Sequence, residues 1–234
     1  MMSLSVQHEE AAKNAITIVN GVLSDLSTPE RLAEYYDRET GYAGSTFVGL
    51  GENHPTAITA EDLLAVTTLS VSIECRPTRW FLEDDEVKRQ VAVGLRELPD
   101  GPLGEVDDDG KQAMSEFYEL VKRTLATPGV PDSDRWVTAS KIAARKRPDL
   151  FPVRDSVVRN GLNIMRFGDY RVDWPIFQRI ITDEGVIRQL KSLPAQIKDC
   201  ANERSVDLDG EPLLRLLDAA MWTTFSERSR SSSD

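Results

Sequence analysis

Apolar positions recur at helical spacing through most of this chain. Ala12, Ile16, Val19, Leu23 and Leu26 share one face of a helix predicted over 5–26, with Glu9, Glu10 and Lys13 off that face. Thr28-Pro29-Glu30 reopens a helix, with Thr28 as N-cap and Pro29 at the first helical position. Gly41, Gly44, Gly49, Gly51, Asn53 and Pro55 then mark a loop, with a short extended piece expected at 46–50. Thr59 followed by Glu61 and Asp62 is a strong start signal, because a hydroxyl caps the first N–H groups and acids suit the positive end of a helix. The LLAVTTLSVSI that follows is rich in β-branched residues, but the cap points to a buried central helix.

Further periodicity predicts helices at 78–84 and 85–98, closed by Pro99-Asp100-Gly101-Pro102. Met114, Phe117, Leu120, Val121 and Leu125 define another at 110–126, which Pro128-Gly129-Val130-Pro131 breaks. Helices also fit 136–146, 155–165, 174–192 and 211–225. In LLRLLDAAMW, Asp218 shares a face with Leu214, Met221 and Phe225, so it is expected inside, paired with an arginine from the 145–159 segment. The fold class is therefore all-α: one globular helical domain over 1–226, open to division into two lobes meeting around 127–160. A disordered tail is expected at 227–234.

Composition narrows the setting. At 40% hydrophobic and 29% charged, the chain has the make-up of a folded domain. No apolar run approaches the roughly 20 residues that cross a bilayer, and MMSLSVQHEEAAKN has neither the basic nor the apolar region of a secretory leader. Cys75 and Cys200 are too few and too far apart for a disulfide framework or a zinc knuckle, so a reducing cytoplasm is expected. A net charge of -11 argues against a general nucleic-acid coat protein, whose affinity comes largely from Lys and Arg on phosphates. A local basic site remains open.

Several chemical motifs fail on inspection. Glu105, Asp107, Asp109, Gly110 and Glu116 approach a calcium-loop template, but the first ligand is Glu, Gln112 replaces the usual apolar residue, and Pro99 and Pro102 break the entering helix. An acidic helix start explains the run better. His8 and His54 stand alone, and Gly49-Leu50-Gly51 lacks the remainder of a dinucleotide fingerprint. No metal and no cofactor is implied.

The segment 136–159, WVTASKIAARKRPDLFPVRDSVVR, departs from this acidic background. Lys141, Arg145, Lys146, Arg147, Arg154 and Arg159 are opposed there only by Asp149 and Asp155. Asp155 follows Pro152-Val153 and is placed to cap a new helix. A basic helix end and an Asp cap are also ordinary structural devices, and the arginines could pair with acids elsewhere.

The strings ITAEDLLAV (58–66), ASKIAARKRPDLFPVRDSVV (139–158) and LLRLLDAAMW (213–222) resemble a bacterial family known only as a domain of unknown function, DUF6308. More remotely, the middle string is similar to the helix-hairpin-helix DNA glycosylases, which are all-helical and bilobal. In them a PGVG-type hairpin precedes a Thr-Ala helix, and a Pro-Val-Asp turn supplies the catalytic aspartate. Pro128-Gly129-Val130, Thr138-Ala139 and Pro152-Val153 with Asp155 occur here in that order. PDSDRWV lengthens the hairpin, and Val137 stands where bifunctional members carry a Schiff-base lysine.

That resemblance implies a monofunctional DNA glycosylase. Asp155 would stabilise the cationic sugar and orient the attacking water. Lys141, Arg145, Lys146, Arg147, Arg154 and Arg159 would hold phosphates, and Trp136 and Trp174 would wall the pocket for a flipped base. The alternative is a non-catalytic helical binding protein of the same fold, with a nucleic-acid or protein partner.

Overall fold

A computed structural model describes residues 6–127 and 132–231, and these form twelve α-helices and two 3-10 turns. The structure is 70% helical. The one β-like pairing among the described residues is an isolated bridge between Asp37 and Val206. No described helix is long and apolar enough to cross a membrane.

The chain divides into two compact units, one made of residues 1–45 and 154–234, the other of Thr46–Val153. In the first, α1 (Val6–Leu23) packs on α10 (Tyr170–Thr182), and α2 (Thr28–Tyr36) packs on α11 (Glu184–Ala201) and α12 (Leu213–Ser231). The short α9 (Ser156–Gly161) lies against α12. Apolar burial holds this unit together through Val19, Leu32, Tyr36, Phe177, Leu190 and Leu217, all 2% exposed or less.

In the second unit α4 (Ala60–Thr67) packs on α8 (Asp132–Lys146). There α5 (Cys75–Glu83) packs on α6 (Asp85–Glu97), and α7 (Asp108–Thr124) meets α6 and α8. Phe47, Phe81, Phe117, Ile142 and Phe151 fill its core. The crossing from the first unit runs through α3 (Gly44–Gly49).

Local chemistry accounts for both the agreements and the departures. Thr59 caps α4 in a reciprocal box with Asp62, as its sequence predicts. The helix nevertheless stops at Thr67 instead of running through LSVSI. The hydroxyls of Thr67 and Thr68 donate back to the Leu64 and Ala65 carbonyls at 2.7 and 2.6 Å, and Ser70 adopts φ 60. Thr28 is inside α2 rather than its cap, because its hydroxyl donates to Val22 O at 2.7 Å. Residues 46–49, expected extended, belong to α3. The expected helix at 174–192 is two helices, since Asp183 leaves the helical region and caps α11 through Val186 N at 3.0 Å. Of the tail expected to be disordered at 227–234, residues 227–231 continue α12, and 232–234 lie outside the described residues. Arg31 reaches Glu227 at 3.5 Å, and Ser229 Oγ donates to Phe225 O at 2.8 Å. Asp107 caps α7 through Gly110 N at 2.8 Å, which accounts for the acidic run that imitates a calcium loop.

Candidate functional site

The basic segment folds inward. Lys141 and Arg145 lie four residues apart on one face of α8, with Lys146 beside them, and their exposures are 5%, 0% and 4%. A single carboxylate meets two of these cations. Asp62 Oδ1 accepts from Arg145 Nε at 2.9 Å, and Oδ2 accepts from Lys146 Nζ at 2.7 Å and Thr59 N at 3.0 Å. Asp62 is itself 0% exposed.

The rest of the guanidinium caps α3. Arg145 donates to Phe47 O at 3.0 Å, to Val48 O, and to Leu50 O at 2.5 Å, where the carbonyl end of a helix is negative. Asn53 returns the favour, with Nδ2 donating to Arg145 O at 3.1 Å and Lys146 O at 3.2 Å at the end of α8. Lys146 also donates to His54 O at 2.8 Å, and Lys141 to Leu69 O at 2.6 Å. Burial pushes the Lys146 ammonium below its usual range, opposed by its bond to Asp62. Carbonyl dipoles thus help a lone carboxylate to balance two buried cations.

Four of the six expected phosphate contacts, these three and Arg159, are buried, and the other two are engaged as well. Arg147 pairs with Asp149 at 3.2 Å and donates to Asp100 O at 3.2 Å. In the first unit Arg154 and Arg159 converge on Asp173 at 3.0 and 3.1 Å, and Arg159 is 8% exposed. Burial raises the Asp173 carboxyl, against the pull of both arginines. The sequence pattern shows the run of cations and, apart from Asp149, not the acids that meet them, which lie 14 to 84 residues away in the chain.

Asp155 is a half-buried N-cap of α9, and its Oδ1 accepts from Val157 N at 2.8 Å. This matches the expected helix start. Thr138 and Ala139 are buried in α8, and Val153 is 9% exposed. The Pro128-Gly129-Val130-Pro131 hairpin lies outside the described residues.

The two aromatic candidates separate. Trp174 is a core residue at 4% exposure, with the Tyr170 ring centroid at 4.6 Å. Trp136 is half-buried, stacked on Tyr118 at 5.3 Å, with the Lys122 ammonium 3.4 Å from its ring centroid.

Asp218 is buried as expected, at 4% exposure, and Arg215, one turn earlier in α12, reaches it at 3.4 Å. That contact is local, since positions three apart on a helix are neighbours. Around this pair stand Tyr35 and Tyr36 from α2 and Glu211 just ahead of α12. Tyr36 donates its hydroxyl to Glu211 Oε1 at 2.9 Å, and the Arg215 charge acts on the Tyr35 phenol. Burial pushes Tyr35, Tyr36 and Glu211 upward. Titratable groups displaced together in this way mark a candidate site. The sequence carries one sign of it, two opposite charges three apart in the otherwise apolar LLRLLDAAMW.

A family model described as a family of unknown function, DUF6308, matches residues 29–225. No curated protein and no solved structure matches the chain, and the helix-hairpin-helix glycosylases do not emerge from these comparisons.

Proposed function

We propose that this chain, which belongs to the DUF6308 family, is a non-catalytic helical binding protein with a protein partner. The observation that carries this is the inward orientation of Lys141, Arg145 and Lys146, which are 5% exposed or less. A phosphate-binding surface needs cations that can release counterions to solvent. Here they neutralise Asp62 and backbone carbonyls instead. Asp155, the residue a glycosylase would use to meet a cationic sugar, spends an oxygen on capping α9.

The exterior of the second unit favours a basic partner. Glu83, Asp84, Asp85 and Glu86 are exposed around the start of α6, and Asp107, Asp108 and Asp109 around the start of α7. Such a field steers a complementary surface and repels DNA.

The test has two arms. A base-excision screen on duplexes with assorted damaged bases should give no product, and Asp155→Asn should change only stability. Chemical cross-linking, followed by reconstitution with the purified partner, should give binding that Asp84→Lys with Asp85→Lys weakens. Excision that Asp155→Asn abolishes would overturn the proposal in favour of a glycosylase.

A further inference from the structure

Residues 202–212 run between α11 and α12, and Leu208 is the one buried side chain among them. The segment begins at Asn202, where φ 53 and ψ -114 are unusual for a residue with a Cβ, and Gly210 has φ 76 near its other end. Polar tethers fix it to α2 and the residues just beyond. Arg204 meets Glu30 at 2.6 Å and Arg38 meets Asp207 at 2.9 Å. Ser205 N donates to Asp37 Oδ1 at 3.2 Å, and Tyr36 donates to Glu211. Exposed ion pairs of this kind are worth little each, so the segment belongs to the low-stability end of its unit.

The cluster that its Glu211 joins is chemically distinctive. Arg215 is 2% exposed and 3.4 Å from Asp218, and its charge acts on the phenols of Tyr35 and Tyr36. The Tyr36 hydroxyl beside it donates to a carboxylate carried by the segment itself. Tyr42 and Trp222 flank Tyr35 with ring centroids at 5.7 and 5.9 Å, and both are half-buried. An arginine and two phenol hydroxyls are the donors that recognise a carboxylate, and half-buried aromatic rings suit a planar body.

We propose that Arg215, Tyr35 and Tyr36 form a binding site for a small aromatic carboxylate, with Tyr42 and Trp222 against its ring and Glu211 as a displaceable internal stand-in for its carboxylate. Glu211 is suited to that part. It is attached to a weakly tethered segment, and burial already opposes its charge. A ligand carboxylate takes over the Tyr36 hydroxyl and the attraction of Arg215, while Glu211 returns to water. This site is independent of the protein partner proposed above, because none of its residues lies in the second unit.

The test is calorimetric titration with benzoate, using benzamide as the uncharged control. Removing the stand-in in Glu211→Ala should tighten benzoate binding by about tenfold or more, the worth of a charge-assisted hydrogen bond, and leave benzamide unbound. Tyr36→Phe in the same background should reverse most of that gain. Glu211→Ser, too short to reach Tyr36, provides a second variant should the alanine variant fail to fold, and should bind benzoate more tightly than the natural chain. Benzoate binding no tighter in either variant, or equal binding of benzamide, would overturn the proposal.

Discussion

Asp62→Asn is the perturbation whose cost follows most directly from the structure. Asp62 accepts from Arg145 Nε, Lys146 Nζ and Thr59 N, and no part of it reaches solvent. Asparagine keeps one acceptor oxygen, but it must aim an amide donor at one of two cationic donors. Two buried positive charges are then left with carbonyl dipoles alone. Breaking a buried pair in this way costs about 3–5 kcal/mol, and the weakened capping box at Thr59 falls inside that range. Urea unfolding followed by tryptophan fluorescence gives the number. A Trp174→Phe, Trp222→Phe background leaves Trp80 and Trp136, both in the second unit, as reporters. Coupling should show as non-additivity, with Arg145→Met costing less in an Asp62→Leu background than in the natural chain. A loss under about 1 kcal/mol would mean that the cations find compensation elsewhere, and the inward network would no longer explain their burial.

Further outcomes follow from the first unit. Asp218→Ala should lower stability by about 3–5 kcal/mol in thermal or urea unfolding, because Arg215 loses a buried partner; a change within error would contradict the pairing. Glu211 has a carboxyl raised by burial, so its stabilising contribution is complete below the unfolded carboxyl value of about 4.3 and is lost as pH rises through the raised folded value. Glu211→Gln should therefore be the more stable protein at pH 7, with the difference closing near pH 4; a gap independent of pH would refute the cause given. A Cβ at Gly161 would collide with the Phe225 ring where α9 meets α12. Gly161→Ala should accordingly cost about 1–3 kcal/mol by calorimetry, whereas helix propensity alone would make it neutral or better.

Most of the helices are legible because their signals are local. Thr59 with Asp62, and Asp107 before α7, are caps whose donors lie two or three residues away. The errors arise where a longer-range partner decides. A glycine-rich stretch reads as loop and strand, yet 44–49 is helical, with its final carbonyls held by Arg145 nearly a hundred residues later. The threonines ending α4 satisfy backbone carbonyls that periodicity assigns to further turns.

The candidate site divides in the same way. Asp155 as a cap and Asp218 as a buried acid can be inferred from neighbouring residues. That Lys141, Arg145 and Lys146 face inward cannot, since a cationic helix end has the same pattern whether Asp62 or a phosphate meets it. Tyr35, Tyr36 and Glu211 come together from opposite ends of the chain, and only the Arg215–Asp218 spacing hints at them.

Burial of Lys141, Arg145 and Lys146 leaves the basic segment little to offer a phosphate, and the salt dependence of duplex binding is the decisive measurement. Fluorescence anisotropy of a labelled duplex, titrated from low salt upward, reports how many phosphates are neutralised, because each contributes about -0.9 to the slope of log K against log salt. No saturable binding is expected even at the lowest salt, and no change on Arg147→Glu, the most accessible member of the segment's second-unit cations. Saturable binding with a steep slope that Arg147→Glu flattens would contradict that expectation and return the segment to a nucleic-acid surface.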